Sequence, residues 1–253
     1  MTRTVHDYLA EAPFTLVLSA GFFGFYAHAG ALSALLDAGL APARVTGASA
    51  GALVGGLHAG GVPSRDIEKE LVELRREHFW DPSPGAGLLR GALFRRRIEA
   101  LLRRRTFEEA VVPAALSTWD VRTRKTVVQD SGDLARAICA SCAFPLLLQP
   151  VRIEGRPQLD GGIADRSAHA ALRPGERVLF HHLPEQSPWR ASAFSTGRRP
   201  PPFRRGMVTL SPPGLPRLGP FRLEEGPIAM ERARRHMQRA LAHCIVPLVE
   251  LSE

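Results

Sequence analysis

The stretch VTGASAGALVG, residues 45–55, sets a single serine, Ser49, between an apolar lead-in and an apolar helix signal. A glycine and an alanine flank the serine on each side, and the two glycines are Gly47 and Gly51. Small residues at all four flanks let the backbone bend sharply and let the following helix pack closely on a sheet. The pattern predicts a nucleophile at a strand-to-helix corner, where the helix N-terminus favours negative charge. A simple tight turn that contains a serine is the alternative.

The order of elements around this corner predicts the fold class. The continuous apolar run FTLVLS at residues 14–19 is typical of a strand buried on both faces of a sheet. Strand and helix signals then alternate, which predicts an α/β fold, a three-layer α/β/α sandwich with a mostly parallel central sheet. No internal repeat or domain boundary is visible, so we expect one domain over residues 1–253, with the motifs in residues 14–170 and C-terminal strands and a helix completing it.

Individual elements follow from hydrophobic periodicity, glycine, proline and capping residues. The predicted helices cover 26–37, 49–59, 64–78, the basic segment 93–107, 130–142 and 226–243. Strands are predicted at 14–19, 44–46, 177–181 and 207–210, with hairpins turning near 120–123 and 154–155, and loops at 81–87 and 184–206.

Composition is that of an ordinary globular protein, with 45% hydrophobic and 23% charged residues in 253. The N-terminus has no secretory pattern, and no apolar run approaches the roughly 20 residues that span a bilayer. We therefore expect a cytoplasmic protein. Cys139 and Cys142 form a C-x-x-C pair without further ligands at zinc spacing, so buried structural thiols are expected.

Arginine supplies nearly all of the positive charge, because Lys69 and Lys125 are the only lysines in a chain of net charge +8. The arginines cluster in residues 93–107 and 198–205. In the first cluster four apolar side chains recur at helical spacing: Phe94, Ile98, Leu101 and Leu102. This pattern predicts a surface helix facing its own core or, alternatively, peripheral contact of segment 93–107 with an anionic membrane. Nucleic-acid binding is disfavoured, since no nucleic-acid-binding motif accompanies the charge.

The glycine turn LSAGFFGFYAHAG at residues 18–30 follows the first buried strand directly. Such a turn can aim successive backbone N–H groups at one point, as a tetrahedral oxyanion requires. Gly21 and Phe22 are the candidate donors, and Gly24 is the second glycine of the turn. A dinucleotide-binding loop is the alternative, but the third glycine and the acidic partner of that fingerprint are missing.

The segment LDGGIADRS places Asp160 after a strand signal and before Gly161 and Gly162. A serine hydroxyl needs a base in contact to act as a nucleophile, and no histidine has a comparably marked setting. Asp160 is the candidate base for Ser49, provided that burial keeps the carboxylate dry and correctly aimed.

The ordered set SAGFFGFY, GASAG and ASCAFP followed by DGG resembles the patatin-like phospholipase family of lipid acyl hydrolases. The resemblance implies that Ser49 and Asp160 form a Ser-Asp dyad, with an oxyanion hole near Gly21. The first turn departs from the family's usual G-G-G-x-[KR]-G and is similar to the triglyceride-lipase branch, which widens the expected substrates. The expected activity is of phospholipase A or general lipid acyl hydrolase type on a lipid ester, with neither metal nor cofactor.

Two further interpretations of the motifs are open at this point. An α/β-hydrolase would use a Ser-Asp-His triad, for which the candidate histidines are His169, His181, His236 and His243. A protein that kept the fold and lost activity would serve as a lipid-binding or scaffold protein. The sequence carries no signal for oligomeric state.

Overall fold

The structure is a computed structural model that describes residues 3–184 and 205–244. The helices are α1 (Val5–Ala10), α2 (Phe25–Asp37), α3 (Ala50–Ala59), α4 (Ser64–Val72), α5 (Ala92–Leu101), α6 (Leu134–Ser141) and α7 (Gly226–Ala242). The strands are β1 (Thr15–Leu18), β2 (Arg44–Ala48), β3 (Gly87–Leu89), β4 (Ala114–Asp120), β5 (Lys125–Gln129), β6 (Leu146–Leu148), β7 (Val151–Ile153), β8 (Arg156–Asp160), β9 (Val178–His181) and β10 (Met207–Leu210). Most of the predicted loop 184–206 lies outside the described residues.

A mostly parallel sheet forms the centre of the fold. Its strand order is β10-β9-β1-β2-β4-β8-β7, with β5 also paired to β4. The five strands β10, β9, β1, β2 and β4 run parallel, whereas β5, β8 and β7 join through antiparallel pairs. The predicted α/β class with a mostly parallel central sheet is confirmed.

The pairing of β4 explains how distant parts of the chain converge. On β4, residues Leu116–Asp120 pair with β5 along one edge, so β2 and β8 must share the other edge. β2 is parallel to β4 and ends with Ala48 opposite Ser117, whereas β8 is antiparallel and ends with Asp160 opposite Thr118. The two strands therefore meet end to end, and the residue after Ala48 faces Asp160.

The two faces of the sheet have separate cores. Because side chains alternate along a strand, Leu16 and Leu18 of β1 pack in the large core that includes the helices, whereas Val17 points to the other face. Val17 packs there with Phe180 and with Ala168 of the irregular segment that follows β8. Burial on both faces accounts for the continuous apolar run of β1.

Three predicted helices need correction, and one pair of strands was not predicted. α6 begins at Leu134 rather than at residue 130, because Asp133 caps it. α4 ends at Val72 rather than near His78, because Arg75 is extended and a 3₁₀ turn follows at Arg76–His78. α5 covers Ala92–Leu101 instead of the whole basic segment. The parallel ribbon of β3 and β6 was not predicted, since each strand has only three residues and β6 follows a proline.

Candidate active site

Ser49 lies at a strained corner between β2 and α3. Its backbone has φ 53° and ψ −118°, a conformation that costs a non-glycine residue about 1–3 kcal/mol. A Cβ atom on Gly51 would lie 2.1 Å from the carbonyl oxygen of Leu18, and one on Gly47 would lie 2.5 Å from the carbonyl carbon of Gly51. The flanking glycines are therefore required by the close approach of α3 to the sheet, which holds the serine at the bend.

Ser49 and Asp160 are in direct contact although 111 residues separate them. The Ser49 Oγ donates to Oδ2 of Asp160 at 2.6 Å, while Oδ1 of Asp160 accepts the N–H of Gly162 at 2.7 Å. Burial raises the pKa of Asp160 to about 6, although the hydrogen bonds from Ser49 and Gly162 and the charge of Arg166 lower it. A carboxylate with this pKa is mostly ionised at neutral pH and is a stronger base than an exposed aspartate.

The backbone of the serine corner is fixed by the residues that end α6. The Ser49 N–H donates to Ser141 Oγ at 2.9 Å, and the Ser141 hydroxyl donates to the carbonyl of Ser117 at 2.6 Å. The Cys142 thiol donates to the Ser49 carbonyl, and burial raises the pKa of this thiol well above its usual range. Cys139 is buried as predicted, whereas Cys142 is half-buried and lines the pocket described below.

The β1–α2 turn has two backbone N–H groups without a partner in the described residues, and both belong to residues that line the pocket of Ser49. The turn is closed by the N–H of Gly24, which donates to the carbonyl of Gly21 at 2.9 Å, and Phe23 has φ 54°. Within residues 3–184 and 205–244, the N–H groups of Gly21 and Phe22 have no acceptor. Gly21 and Phe22 line the same pocket as Ser49. Two unpaired N–H groups at one pocket have the chemistry to stabilise an oxyanion.

Ser49 and Asp160 open into an apolar pocket with a cavity volume of about 130 Å³. Its floor is the buried face of α3, with Leu53 and Leu57, and its sides include Leu71 of α4 and Ile98 of α5. Of the four side chains in the apolar stripe of the basic segment, Phe94, Ile98 and Leu101 line this pocket and Leu102 is buried in the core. The apolar stripe of α5 thus faces inward, as the first interpretation predicted, and the pocket suits a hydrocarbon chain.

Comparison with known proteins decides the family. The sequence model of the patatin-like phospholipase family matches residues 16–172. The chain belongs to this family. The segment that carries Ser49, Asp160 and the β1–α2 turn lies entirely within the match.

Several relatives share this segment. An uncharacterised NTE family protein of Mycobacterium tuberculosis is 33% identical over 153 residues, which cover 59% of this chain and 42% of that protein. Lysophospholipase nte1 of Neurospora crassa is 30% identical over 173 residues, covering 65% of this chain and 11% of the fungal protein. The chain thus spans less than half of the length of these curated relatives.

Solved structures show the same fold at low identity. VipD from Legionella pneumophila superposes with a TM-score of 0.68 at 14% identity, covering 90% of this chain and 66% of VipD. The type III effector ExoU gives a TM-score of 0.51 at 18% identity, covering 91% of this chain and 54% of ExoU. These likenesses support the patatin fold.

The histidines proposed for a triad lie elsewhere. None of His169, His181, His236 and His243 lines the pocket of Ser49, and the hydroxyl donates to Asp160 instead. The histidine that does line this pocket is His78, in the 3₁₀ turn that follows α4. The geometry therefore favours a dyad over a triad.

A buried histidine pair supports the β1–α2 turn. The Nε2 of His28 lies 2.8 Å from the carbonyl of Ser19 and must donate to it, so Nδ1 of neutral His28 accepts from Nδ1–H of His181 at 2.8 Å. Burial lowers the pKa of His28 to about 4 and that of His181 well below its usual range, so both rings stay neutral. The pair anchors the residue that precedes the turn.

Sequence reasoning missed Ser141, His28 and His181 as supporting residues. Ser141 belongs to ASCAFP, which contributed to the family resemblance, but its partners Ser49 and Ser117 are 92 and 24 residues away. No local pattern marks the pairing of His28 with His181, which spans 153 residues.

No helix in the described part of the chain is long and apolar enough to cross a membrane. Over the same residues, no group of three or more histidine, cysteine or acidic side chains is arranged to hold a metal ion.

Proposed function

We propose that this protein is a serine acyl hydrolase that cleaves carboxylic esters of lipids through the pair Ser49 and Asp160. The observation that carries the proposal is the 2.6 Å hydrogen bond from the Ser49 hydroxyl to a buried carboxylate, at one end of an apolar pocket. Family membership supports a lipid ester as substrate, as does the similarity to lysophospholipase nte1 of Neurospora crassa.

The reaction follows from the contacts of each group. Asp160 accepts the hydroxyl proton while Ser49 Oγ attacks the acyl carbon, and the carbonyl π electrons move to oxygen. The N–H groups of Gly21 and Phe22 stabilise the oxyanion. As the tetrahedral intermediate collapses, the leaving alcohol takes the proton from Asp160. Water then attacks the acyl-enzyme with Asp160 again as base, which releases the fatty acid and restores the serine.

The lining of the apolar pocket supports a location for the acyl chain. The acyl chain lies along α3 between α4 and α5, because the lining there is almost wholly aliphatic and aromatic. One ion pair, between Arg97 and Glu70, joins α4 to α5 at the pocket wall. Contact with an anionic membrane involves outward arginines of segment 93–107, such as Arg96, rather than its apolar stripe.

The proposal is tested with Ser49→Ala and Asp160→Asn on a short p-nitrophenyl ester and on a lysophospholipid. Each variant is expected to lose at least about 10³-fold in kcat/KM, the scale seen when a nucleophile or its base is removed. Asp130→Asn, which changes an exposed carboxylate, is the matched control and should keep full activity.

A fluorophosphonate probe supplies an independent readout. It should label the wild type on the peptide that contains Ser49 and leave Ser49→Ala unlabelled. Wild-type turnover that survives in Ser49→Ala rules out the dyad. Absence of both labelling and turnover in the wild type, with lipid binding intact, identifies the protein as an inactive lipid-binding member of the fold.

A further inference from the structure

A second cavity, of about 370 Å³, lies beside the first, between the start of α5, α6 and the segment around β6 and β7. Four arginines line it: Arg90, Arg95, Arg136 and Arg152. The residues that line this cavity include no aspartate or glutamate. Four guanidinium groups around one concavity repel one another unless an anion offsets their charge.

The neighbouring carboxylates offset only part of this charge. Glu99 and Asp133 pair with Arg95, and Asp133 also lies 3.5 Å from Nε of Arg136. That Nε is buried and makes no hydrogen bond within the described chain.

The other two arginines have no carboxylate partner in the described residues. Arg152 donates to the backbone carbonyl of Gly155, and the Arg90 side chain forms no hydrogen bond or ion pair there. A third carboxylate, that of Asp81, accepts the N–H groups of Gly91, Ala92 and Leu93 at the start of α5. Three carboxylates against four guanidinium groups leave the cavity with a net positive charge, and two of its arginines form no ion pair in the described residues.

The arginine-lined cavity adjoins apolar surface that suits a lipid interface. Phe94 and Leu148 line both this cavity and the pocket of Ser49. On the adjacent β3–β6 ribbon, Leu88 and Leu146 are 50% and 70% exposed. Leu146 is held there with φ 66°, an unfavourable conformation for a leucine. Exposed aliphatic side chains next to free arginines match the boundary between acyl chains and phosphate groups of a bilayer.

We propose that this cavity binds the phosphate of an anionic phospholipid at a bilayer surface. Arginine holds phosphate through paired N–H···O hydrogen bonds, and Arg90 and Arg152 are the groups available for this contact. The site is separate from the ester that reacts at Ser49, so it holds the protein on the membrane while the apolar pocket takes an acyl chain. The binding does not depend on the proposed hydrolase activity.

The test compares two double variants in a Ser49→Ala background, so that no lipid is consumed. Arg90→Gln with Arg152→Gln removes the free arginines of the cavity. Arg122→Gln with Arg124→Gln removes the same charge from the exposed β4–β5 turn, where neither arginine has a carboxylate partner among the described residues. Partitioning is measured by co-sedimentation with phosphatidylcholine vesicles, with and without phosphatidic acid.

We expect the variant Arg90→Gln with Arg152→Gln, the cavity pair, to lower the partition coefficient on phosphatidic acid vesicles by roughly thirtyfold. The variant Arg122→Gln with Arg124→Gln, the turn pair, is expected to lower this coefficient by about threefold or less. Charges that lie away from the membrane surface are screened by salt and contribute little. Binding to neutral vesicles should be weak for all proteins. Equal losses in the two double variants, or no loss in either, would overturn the proposal.

A second measurement, with soluble phosphate compounds, distinguishes a lipid headgroup from free phosphate as the ligand of the cavity. Glycerol 3-phosphate and inorganic phosphate are titrated against thermal unfolding of the same proteins. Stabilisation by soluble phosphate that the cavity pair abolishes, with vesicle binding unchanged, overturns the lipid assignment. If the cavity pair fails to fold, Arg90→Gln alone replaces it and should give about half of the logarithmic loss, because the Arg90 side chain has no partner in the described residues.

Discussion

Replacing Asp160 by asparagine is expected to stabilise the folded protein at neutral pH while it removes activity. Burial raises the pKa of Asp160 from 3.8 to about 6, which means that folding disfavours the ionised form. A raised carboxyl pKa contributes stability that is fully present below the unfolded pKa and is lost as pH rises through about 6. At pH 8 the wild type therefore bears the whole cost of a buried carboxylate, and the neutral amide does not.

The pKa shift sets the size of the effect. A pKa shift of about two units, at 1.36 kcal/mol per unit, raises the free energy of unfolding of Asp160→Asn above that of the wild type by about 3 kcal/mol at pH 8. This value is an upper bound, because the amide must fit between Ser49 and Gly162. In a domain of this size that corresponds to a rise in Tm of about 6–12 °C. At pH 5 Asp160 of the folded wild type is mostly protonated. The difference in free energy of unfolding between the variant and the wild type should therefore fall by about 1.4 kcal/mol, to roughly half.

Urea denaturation and thermal unfolding at pH 5 and pH 8 measure this difference. Asp130→Asn, at an exposed position, is the control and should show no pH-dependent gap from the wild type. A variant that is no more stable than the wild type at pH 8, or a gap that widens at pH 5, would refute the reasoning that burial dominates the pKa of Asp160.

Three further predictions concern activity and packing. The kcat/KM on a soluble ester should rise about tenfold between pH 5 and pH 8 with an apparent pKa of about 6, since only ionised Asp160 accepts the proton, and a flat profile would contradict this role. Gly51→Ala, whose Cβ would lie 2.1 Å from a carbonyl oxygen, should lower the free energy of unfolding measured by urea denaturation by about 1–3 kcal/mol. Gly219→Ala, whose Cβ would lie 3.7 Å from its nearest neighbour, Cε1 of Phe22, should be near neutral. Leu57→Phe, about 12 Å along α3 from the serine, should lower kcat/KM for long p-nitrophenyl esters more than for short ones. Equal losses would place the acyl chain elsewhere.

The Ser49 corner, the β1–α2 turn and Asp160 could be predicted from the sequence, because each is marked by its immediate neighbours. Each feature requires a sharp bend of the backbone, and small residues allow such a bend. These small residues lie within a few positions of the feature: around Ser49, in the turn after β1 and directly after Asp160. Alternating strand and helix signals likewise predicted the α/β class, and Glu154 and Gly155, both with positive φ, form the predicted hairpin turn.

The supporting contacts of the site were not predictable in this way. Ser141 supports Ser49, and His28 pairs with His181, through hydrogen bonds between residues far apart in the sequence. The β3–β6 ribbon pairs two strands of three residues whose partners, Gly87 with Leu146 and Leu89 with Leu148, lie 59 residues apart in the sequence. Strands this short show no periodic pattern of their own. The four arginines of the second cavity likewise come from α5, α6 and adjoining segments.

The sequence by itself determined which residues have the chemistry and where the backbone must bend, because those demands are local. Only the tertiary structure decided that serine and carboxylate touch. That contact exists because β2 and β8 run in opposite directions along one edge of β4 and stop at adjacent residues, Ser117 and Thr118. Strand register is a property of pairing between distant segments, and no single segment encodes it.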